Sequence, residues 1–212
     1  MDRFPRNETL LETFQWRIEQ SSDDIAFKFN DRETTYKEYD QKANRVANGI
    51  IAEGCLPNSR VAVLAKNSDM YAEIMFGSLK SRTALVGLNW RLAPPEVVFV
   101  VNDSESEVLF VGPDFYELVD SIKHEFSHVR QIIAMEDDHD SWQSYESWRD
   151  SFEDTDPKLK GNADDDVIQL YTSGTTGHPK GVRLTNKNIN ASTPMVEETW
   201  GKDWHEKSVN FV

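Results

Sequence analysis

The sequence predicts an α/β fold, a mainly parallel sheet with helices on both faces. Two observations carry that prediction. Short apolar runs alternate along the chain with segments whose apolar residues recur at three- and four-residue steps, the succession expected of βαβ units. The run Arg60-Val61-Ala62-Val63-Leu64-Ala65 is continuous and β-branched rather than alternating, as in a strand covered on both sides.

Between Tyr36 and Gly54, the residues Tyr39, Ala43, Val46, Ala47, Ile50 and Ile51 mark one helical face, and Gly54 closes the helix. Arg60–Ala65 is the first strand. Asn67 or Ser68 then caps a helix through Met70, Ile74, Met75 and Leu79, and Ala84–Leu88 is the next strand. Pro94 and Pro95 suit the first turn of a third helix, which leads to a strand over Glu107–Val111. A helix from Asp114, a strand over Gln131–Met135 and a strand over Val167–Tyr171 complete the series. No internal repeat is visible. Val209-Asn210-Phe211-Val212 reads as the opening of a further strand, so the 212 residues are expected to be the front part of a longer protein.

Composition narrows the function. With 23 Lys and Arg against 37 Asp and Glu the net charge is −14, which repels phosphate backbones and anionic lipid; no nucleic-acid partner is expected. Any anion must be held by a local device. Hydrophobic residues at 38% are ordinary for a globular domain, and no apolar run approaches the roughly 20 residues that span a bilayer. Cys55 is the single cysteine, so an internal disulfide and a thiolate-rich zinc site are excluded. The N-terminus has no signal-peptide pattern, and a cytoplasmic location is expected.

Two motifs invite metal readings. The stretch 136–166 holds 12 acids against three bases, with Trp142, Trp148 and Phe152 among them, and reads as a short helix flanked by solvated loops. An EF-hand pattern fails there, because Pro157 and Lys158 interrupt it and the required glycine is missing. His124-Glu125-Phe126-Ser127-His128 matches the zinc-peptidase pattern H-E-x-x-H. On a helix from Asp114 the apolar set is Phe115, Leu118, Val119, Ile122 and Phe126, which turns His124 and His128 to the solvent side. A surface coincidence is therefore expected, with a zinc metallopeptidase as the disfavoured alternative.

The strongest signal runs from Tyr171 to Val182, and its ten central residues are Thr172-Ser173-Gly174-Thr175-Thr176-Gly177-His178-Pro179-Lys180-Gly181, between the strand Val167–Tyr171 and the alternating segment Val182-Arg183-Leu184. Glycines let the backbone approach a ligand closely, hydroxyls and N–H groups donate hydrogen bonds, and Lys180 adds a full charge. This is the local device an acidic protein needs. It is not a Walker A loop: Pro179, Lys180 and Gly181 stand where that pattern needs Gly-Lys-Ser/Thr, and a strand rather than a helix follows, so no helix dipole is expected to assist.

The ten-residue loop resembles the phosphate-binding signature of the adenylate-forming (AMP-binding) enzymes: acyl-CoA synthetases, peptide-synthetase adenylation domains and luciferases. Thr35-Tyr36-Lys37-Glu38-Tyr39, Ala43-Asn44-Arg45-Val46-Ala47, Arg60–Leu64 and Leu88-Asn89-Trp90-Arg91-Leu92-Ala93-Pro94-Pro95-Glu96 are similar to the family's early segments, the last more to acyl-CoA synthetases than to peptide-synthetase domains. Three departures stand out: Arg82 where glycine is usual, Asn58-Ser59 for Gly-Asp, and Asn186 for a histidine.

The resemblance implies that residues 1–212 form the first part of the large N-terminal domain of an ATP-dependent acyl-CoA synthetase, with 136–166 as an acidic connection. The family's remaining pocket segments, hinge and lysine-bearing C-terminal domain would lie beyond Val212. The implied reaction joins a carboxylic acid, fatty or aromatic, to AMP with release of pyrophosphate, and then passes the acyl group to coenzyme A. By resemblance Thr172, Ser173, Gly174, Thr175, Thr176 and Gly177 cradle the phosphates of ATP, Lys180 supplies the counter-charge, and Thr176 helps to place Mg2+. No complete catalytic set lies in these 212 residues, so the fragment is expected to be inactive alone and prone to self-association. The alternative of a different class is a non-catalytic, truncated nucleotide-binding or interaction module.

Overall fold

The computed structural model describes residues 8–172 and 179–191. Helix α1 (Leu10–Ser21) is followed by the strands β1 (Ile25–Phe29) and β2 (Arg32–Thr35), which pair only with each other. The main sheet contains β3 (Arg60–Leu64), β4 (Ala84–Gly87), β5 (Ser106–Val111), β6 (Gln131–Ala134), β7 (Gln143–Ser144), β8 (Asp166–Thr172) and β9 (Lys180–Thr185). Their spatial order is β7-β6-β5-β3-β4-β8-β9, and every neighbouring pair is parallel except β8 with β9. The expected mainly parallel sheet is what the chain forms.

Five helices sandwich this sheet: α2 (Tyr36–Ala52), α3 (Asp69–Lys80), α4 (Pro94–Asp103), α5 (Tyr116–Ile122) and α6 (Tyr145–Asp150). Alternation along the strands divides the core in two. Val61, Val63, Val108 and Phe110 face Val46 and Ile50 of α2, Ile74 of α3 and Trp148 of α6. Ala62, Leu64, Leu109 and Val111 face Val97 and Val101 of α4 and Val119 of α5. All four strand residues of each set are essentially inaccessible, which is why β3 reads as a continuous apolar run.

Local sequence sets the helix boundaries. Thr35 and Glu38 form a reciprocal capping box, Thr35 Oγ1 accepting from the Glu38 N–H and the Glu38 carboxylate accepting from the Thr35 N–H at 2.8 Å. Gly54, at φ +82°, follows α2 in the left-handed conformation. Ser68, rather than Asn67, caps α3. Gly77 lies against α2: a Cβ there would meet Val46 Cγ1 at 2.3 Å, so the close approach of α2 and α3 requires glycine.

Arg82 and Asn58 show how this chain does without two glycines. Arg82 has φ +58° just past α3, the left-handed position in which glycine is least strained. Its guanidinium compensates with two hydrogen bonds to the Asp165 carboxylate, both 3.0 Å. Asn58 has φ +66°, a conformation asparagine tolerates, and its side chain accepts from the Asp166 N–H.

Two expectations need correction. The helix from Asp114 does not continue through His128: a 3-10 turn over Pro113–Phe115 leads into α5, which ends at Ile122, and a second 3-10 turn covers Lys123–Glu125. The stretch 136–166 contains the expected short helix, α6, but its acids are not simply solvated. Asp156 meets the fully buried Lys80 at 3.1 Å, Asp154 meets Arg45, Asp165 meets Arg82, and Asp166 meets Arg60 at 2.9 Å. Side chains of α2 hold the backbone of this stretch as well, Asn44 Nδ2 donating to the Asp154 carbonyl and Asn48 Nδ2 to those of Glu153 and Thr155. A negative segment lies on the domain because the helices beneath it offer cations and amides. The N-terminal α1, β1 and β2 are elements that the apolar spacing does not announce.

Acid should therefore loosen the fold in a defined window. Burial opposes ionisation of Asp69 and Asp156, but Arg32 at Asp69, and the Lys158 N–H with Lys80 at Asp156, outweigh it and hold both carboxyls below their usual range. Folded values below the unfolded values mean stability that is complete above the unfolded carboxylate pKa of about 4 and lost as pH falls through the folded values. Urea midpoints should be level above roughly pH 5 and fall below roughly pH 4, and Asp69→Asn should reduce that slope. A second expectation concerns Arg82→Gly. Backbone strain alone predicts a gain of about 1 kcal/mol, but leaving buried Asp165 without its partner costs about 1–3 kcal/mol, so the variant should be less stable in urea titrations and Asp165→Asn should recover part of the loss.

Candidate functional site

The expected phosphate loop joins β8 to β9. β8 lies parallel to β4, with Leu85 opposite Ile168 and Gly87 opposite Leu170, and β9 returns antiparallel along its other edge. The register runs Leu170↔Val182, Tyr171↔Gly181 and Thr172↔Lys180. Thr172 and Lys180 are thus cross-strand partners at the mouth of a hairpin, and both are exposed. Side chains of directly opposed residues share one face of an antiparallel pair, with Cβ atoms roughly 5 Å apart. Thr172 and Lys180 therefore project from the same face of the hairpin mouth.

Ser173, Gly174, Thr175, Thr176 and Gly177 lie outside the described residues, as does the strand expected at Val209–Val212. Of the predicted site residues, Thr172 and Lys180 are therefore the two whose positions are described. The prediction that a strand follows the loop holds, since β9 begins at Lys180. Residues 186–191 are helical, but they follow β9 at its far end, beside the start of β8, where Asp166 pairs with Thr185. The helix N-terminus that serves a Walker loop is at the wrong end of the sheet here.

The mouth of the hairpin opens at the carboxyl ends of the parallel strands, the end at which open α/β sheets bind ligands. Two further cations sit at that end. Lys66, just after β3, pairs with Asp114 beyond β5 at 2.7 Å. Arg91, after β4, lies with its guanidinium carbon 4.2 Å from the centre of the exposed Trp90 ring. In the sequence Arg91 is marked only as part of a family-like segment, and Lys66 carries no mark of its own. Their position immediately after strands was the available signal.

The H-E-x-x-H pattern is not arranged as a metal site requires. Glu125 is in a 3-10 turn, Phe126 is extended at φ −77° and ψ +125°, and His124, Glu125 and His128 are exposed. Two histidines one α-helical turn apart need an α-helix between them, and α5 has already ended. Among the described residues, no group of three or more His, Cys, Asp or Glu is placed to hold a metal ion.

Comparison with known proteins agrees with the family resemblance. The AMP-binding enzyme pattern matches residues 14–212. The chain belongs to the AMP-binding enzyme family. It is 37% identical over 215 residues to a fatty acid–[acyl-carrier-protein] ligase of Streptomyces coeruleorubidus, covering 100% of this chain and 40% of that protein. It is 31% identical to a long-chain-fatty-acid–CoA ligase of Mycobacterium tuberculosis, over 74% of this chain and 31% of that one. Among solved structures, an anthranilate CoA ligase in complex with anthranoyl-AMP superposes with a TM-score of 0.83 at 25% identity, over 92% of this chain and 37% of that chain. The chain thus spans about 40% or less of the length of these AMP-binding relatives.

The end of α5 at Ile122 leaves His124 and His128 without the α-helical spacing that the zinc pattern needs. Purified protein should carry no stoichiometric zinc by elemental analysis; zinc retained through mild chelation and lost in His128→Ala would show that the broken helix is not what decides the matter.

Proposed function

We propose that residues 1–212 are the first part of the large domain of an AMP-forming acid ligase and supply its phosphate-binding hairpin. The supporting observation is the pairing of Thr172 with Lys180 at the carboxyl end of the sheet, because it sets a hydroxyl and a cation together at the two ends of a loop rich in glycine and threonine. The donor set fits a polyphosphate. Thr172, Ser173, Thr175 and Thr176 offer hydroxyls, Gly174 and Gly177 allow backbone N–H groups to approach, and Lys180 offers charge.

When a carboxylate attacks the α-phosphorus of ATP, negative charge grows on the departing pyrophosphate, and donors already aimed at it lower the barrier. In this reading Thr172–Gly177 hold the β- and γ-phosphates and Lys180 meets the growing charge. Thr176 is assigned to Mg2+, which would neutralise phosphate charge when bound. Fatty and aromatic acids are the substrate classes, drawn from the relatives named above, and coenzyme A is the acyl acceptor. The family's other pocket segments and its lysine-bearing C-terminal domain are assigned to residues outside these 212, so the chain alone is proposed to be inactive and to associate through the exposed Leu170 and Val182 side of its edge hairpin. A reducing, cytoplasmic setting suits the lone Cys55, whose thiol burial pushes up to about 12.

The test is a charge deletion in a protein that carries the rest of the ligase. Lys180→Ala should slow ATP–pyrophosphate exchange by roughly a hundred- to a thousandfold with the melting temperature nearly unchanged, and Thr176→Val should act the same way more mildly. Transfer of the acyl group from supplied acyl adenylate to coenzyme A should be less affected, because pyrophosphate is absent from that step. Equal slowing of both half-reactions, or none, would withdraw the phosphate assignment. Residues 1–212 alone should show no exchange with a panel of fatty and aromatic acids.

A further inference from the structure

One face of β8 carries a line of polar contacts that ends at the mouth of the hairpin. Arg60 Nε, on β3, reaches across β4 to donate to Gln169 Oε1 at 3.2 Å. Gln169 Nε2 donates to the Tyr171 hydroxyl at 2.9 Å, and that hydroxyl donates to Asp103 Oδ2 at 2.6 Å. Asp103 is the last residue of α4, whose apolar side packs on this face of the sheet. Tyr171 is therefore fixed at its oxygen by groups from two elements, one accepting and one donating, while its ring packs on the core beneath α4.

The opposite strand is shaped to admit that side chain. Gly181 is the partner of Tyr171, and a Cβ on it would lie 2.6 Å from Gln169 Nε2, 3.0 Å from Tyr171 Cζ and 3.1 Å from the Tyr171 oxygen. The last glycine of the ten-residue motif thus leaves room for the tyrosine and glutamine ends packed against it, which a Cβ would force to shift. β9 is the outermost strand of the sheet among the described residues, so its angle is set by its ladder with β8 and by what crosses it. The next pair along is Thr172 with Lys180, where the loop leaves and returns.

We infer that Tyr171 is a positioning residue for the phosphate loop: anchored to Asp103 and Gln169 and lying against Gly181, it fixes the hairpin mouth and hence where Thr172 and Lys180 stand. The inference rests on the phosphate-cradle reading for its purpose, but the lock itself is a property of the hairpin. Tyr171→Phe removes the hydroxyl and keeps the ring. Without the anchor, the mouth should open more often while the base of the hairpin, at Ile168 and Leu184, stays closed.

Amide hydrogen exchange followed by NMR on the chain reads this directly, with no ligand present. In Tyr171→Phe, amides at Thr172, Lys180 and Gly181 should exchange about tenfold faster, as expected for loss of a hydrogen bond to a charged group, with the amides at Ile168 and Leu184 changing by no more than the fall in global stability read from the urea midpoint. Asp103→Ala should reproduce the effect. Asp103→Asn, whose amide oxygen accepts the same bond, should restore protection. A uniform rise along the hairpin, or no change, would overturn the lock.

Titration with magnesium pyrophosphate then asks whether the lock serves the loop. Tyr171→Phe should weaken binding, and Thr176→Val should weaken it with exchange at the mouth unaltered. Faster exchange in Tyr171→Phe with unaltered affinity would overturn the positioning role. Failure of the unsubstituted chain to bind pyrophosphate would instead count against the phosphate-cradle reading, since the exchange measurements decide the lock without it.

Discussion

The arrangement depends on one constraint, the double pairing of β8. It is held parallel on β4 along one edge and antiparallel on β9 along the other, so the chain must reverse direction at the carboxyl end of the sheet. In a parallel βαβ unit a strand is followed by a crossover to the opposite end, and a helix N-terminus then faces the ligand. Here the chain turns back at once. In the phosphate-cradle reading proposed above, the donors are then hydroxyls, loop N–H groups and one lysine instead of a helix end, and the pairing of β8 with β9 sets where Thr172 and Lys180 stand.

The sheet's rigidity comes from the burial of both its faces under helices, and from polar contacts that tie the outer elements down. Glu73, almost inaccessible within α3, accepts from the Tyr145 hydroxyl at 2.8 Å and from Arg149 at 2.9 Å, and meets Lys42 at 3.0 Å. A buried carboxylate with three donors is costly to strip of any one of them, which makes the position of α6 on α2 and α3 specific as well as apolar. Lys80 does the same for the segment around Asp156 and for Asp40. The chain's excess acid is therefore compatible with a packed core, because Glu73, Asp156 and Asp165 each meet a cation from another element.

Sequence reading recovered what is periodic or chemically marked. The strand over 60–65 and the helices through Val46 and Ile74 follow from burial on one or both faces, and the loop from its glycines and hydroxyls. It missed what depends on partners far along the chain. The strands β1 and β2 are short, with one turn at Asn30 in the left-handed conformation, and they gain their place by aromatic contact, Phe27 meeting Tyr39 edge-on at 4.5 Å, and by Arg32 on Asp69. The helix from Asp114 was drawn six residues too long because Phe126 continues the apolar spacing, although it reaches the core after the helix has ended. At the site, Thr172 and Lys180 were legible as motif members. Their opposition across a hairpin was not, since register is a property of β8 and β9 together, nor was the contact of Tyr171 with Asp103, which is distant in sequence.

The three departures from the family's usual residues meet at the other end of the sheet. The Asn58 N–H donates to the Arg82 carbonyl at 2.7 Å, Arg82 holds Asp165, and the Asn186 N–H donates to the Asp165 carbonyl at 3.1 Å. Asn186 is buried there, its side chain accepting from the Leu10 N–H and donating to the Asn162 carbonyl, each at 3.0 Å. All of these lie where β3, β4 and β8 begin and β9 ends, a strand length away from Thr172 and Lys180. A strand of six or seven residues is about 20 Å long, beyond direct contact and about two Debye lengths, so surface charge at one end is largely screened at the other. The substitutions can thus settle with one another, an arginine and an asparagine occupying left-handed positions and a carboxylate neutralising the arginine, without disturbing the hairpin mouth. Two ends of one sheet carry separate demands: packing and backbone strain are resolved at its amino edge, while the geometry that an anion would meet is fixed at its carboxyl edge by Tyr171, Gly181 and the register of β8 on β9.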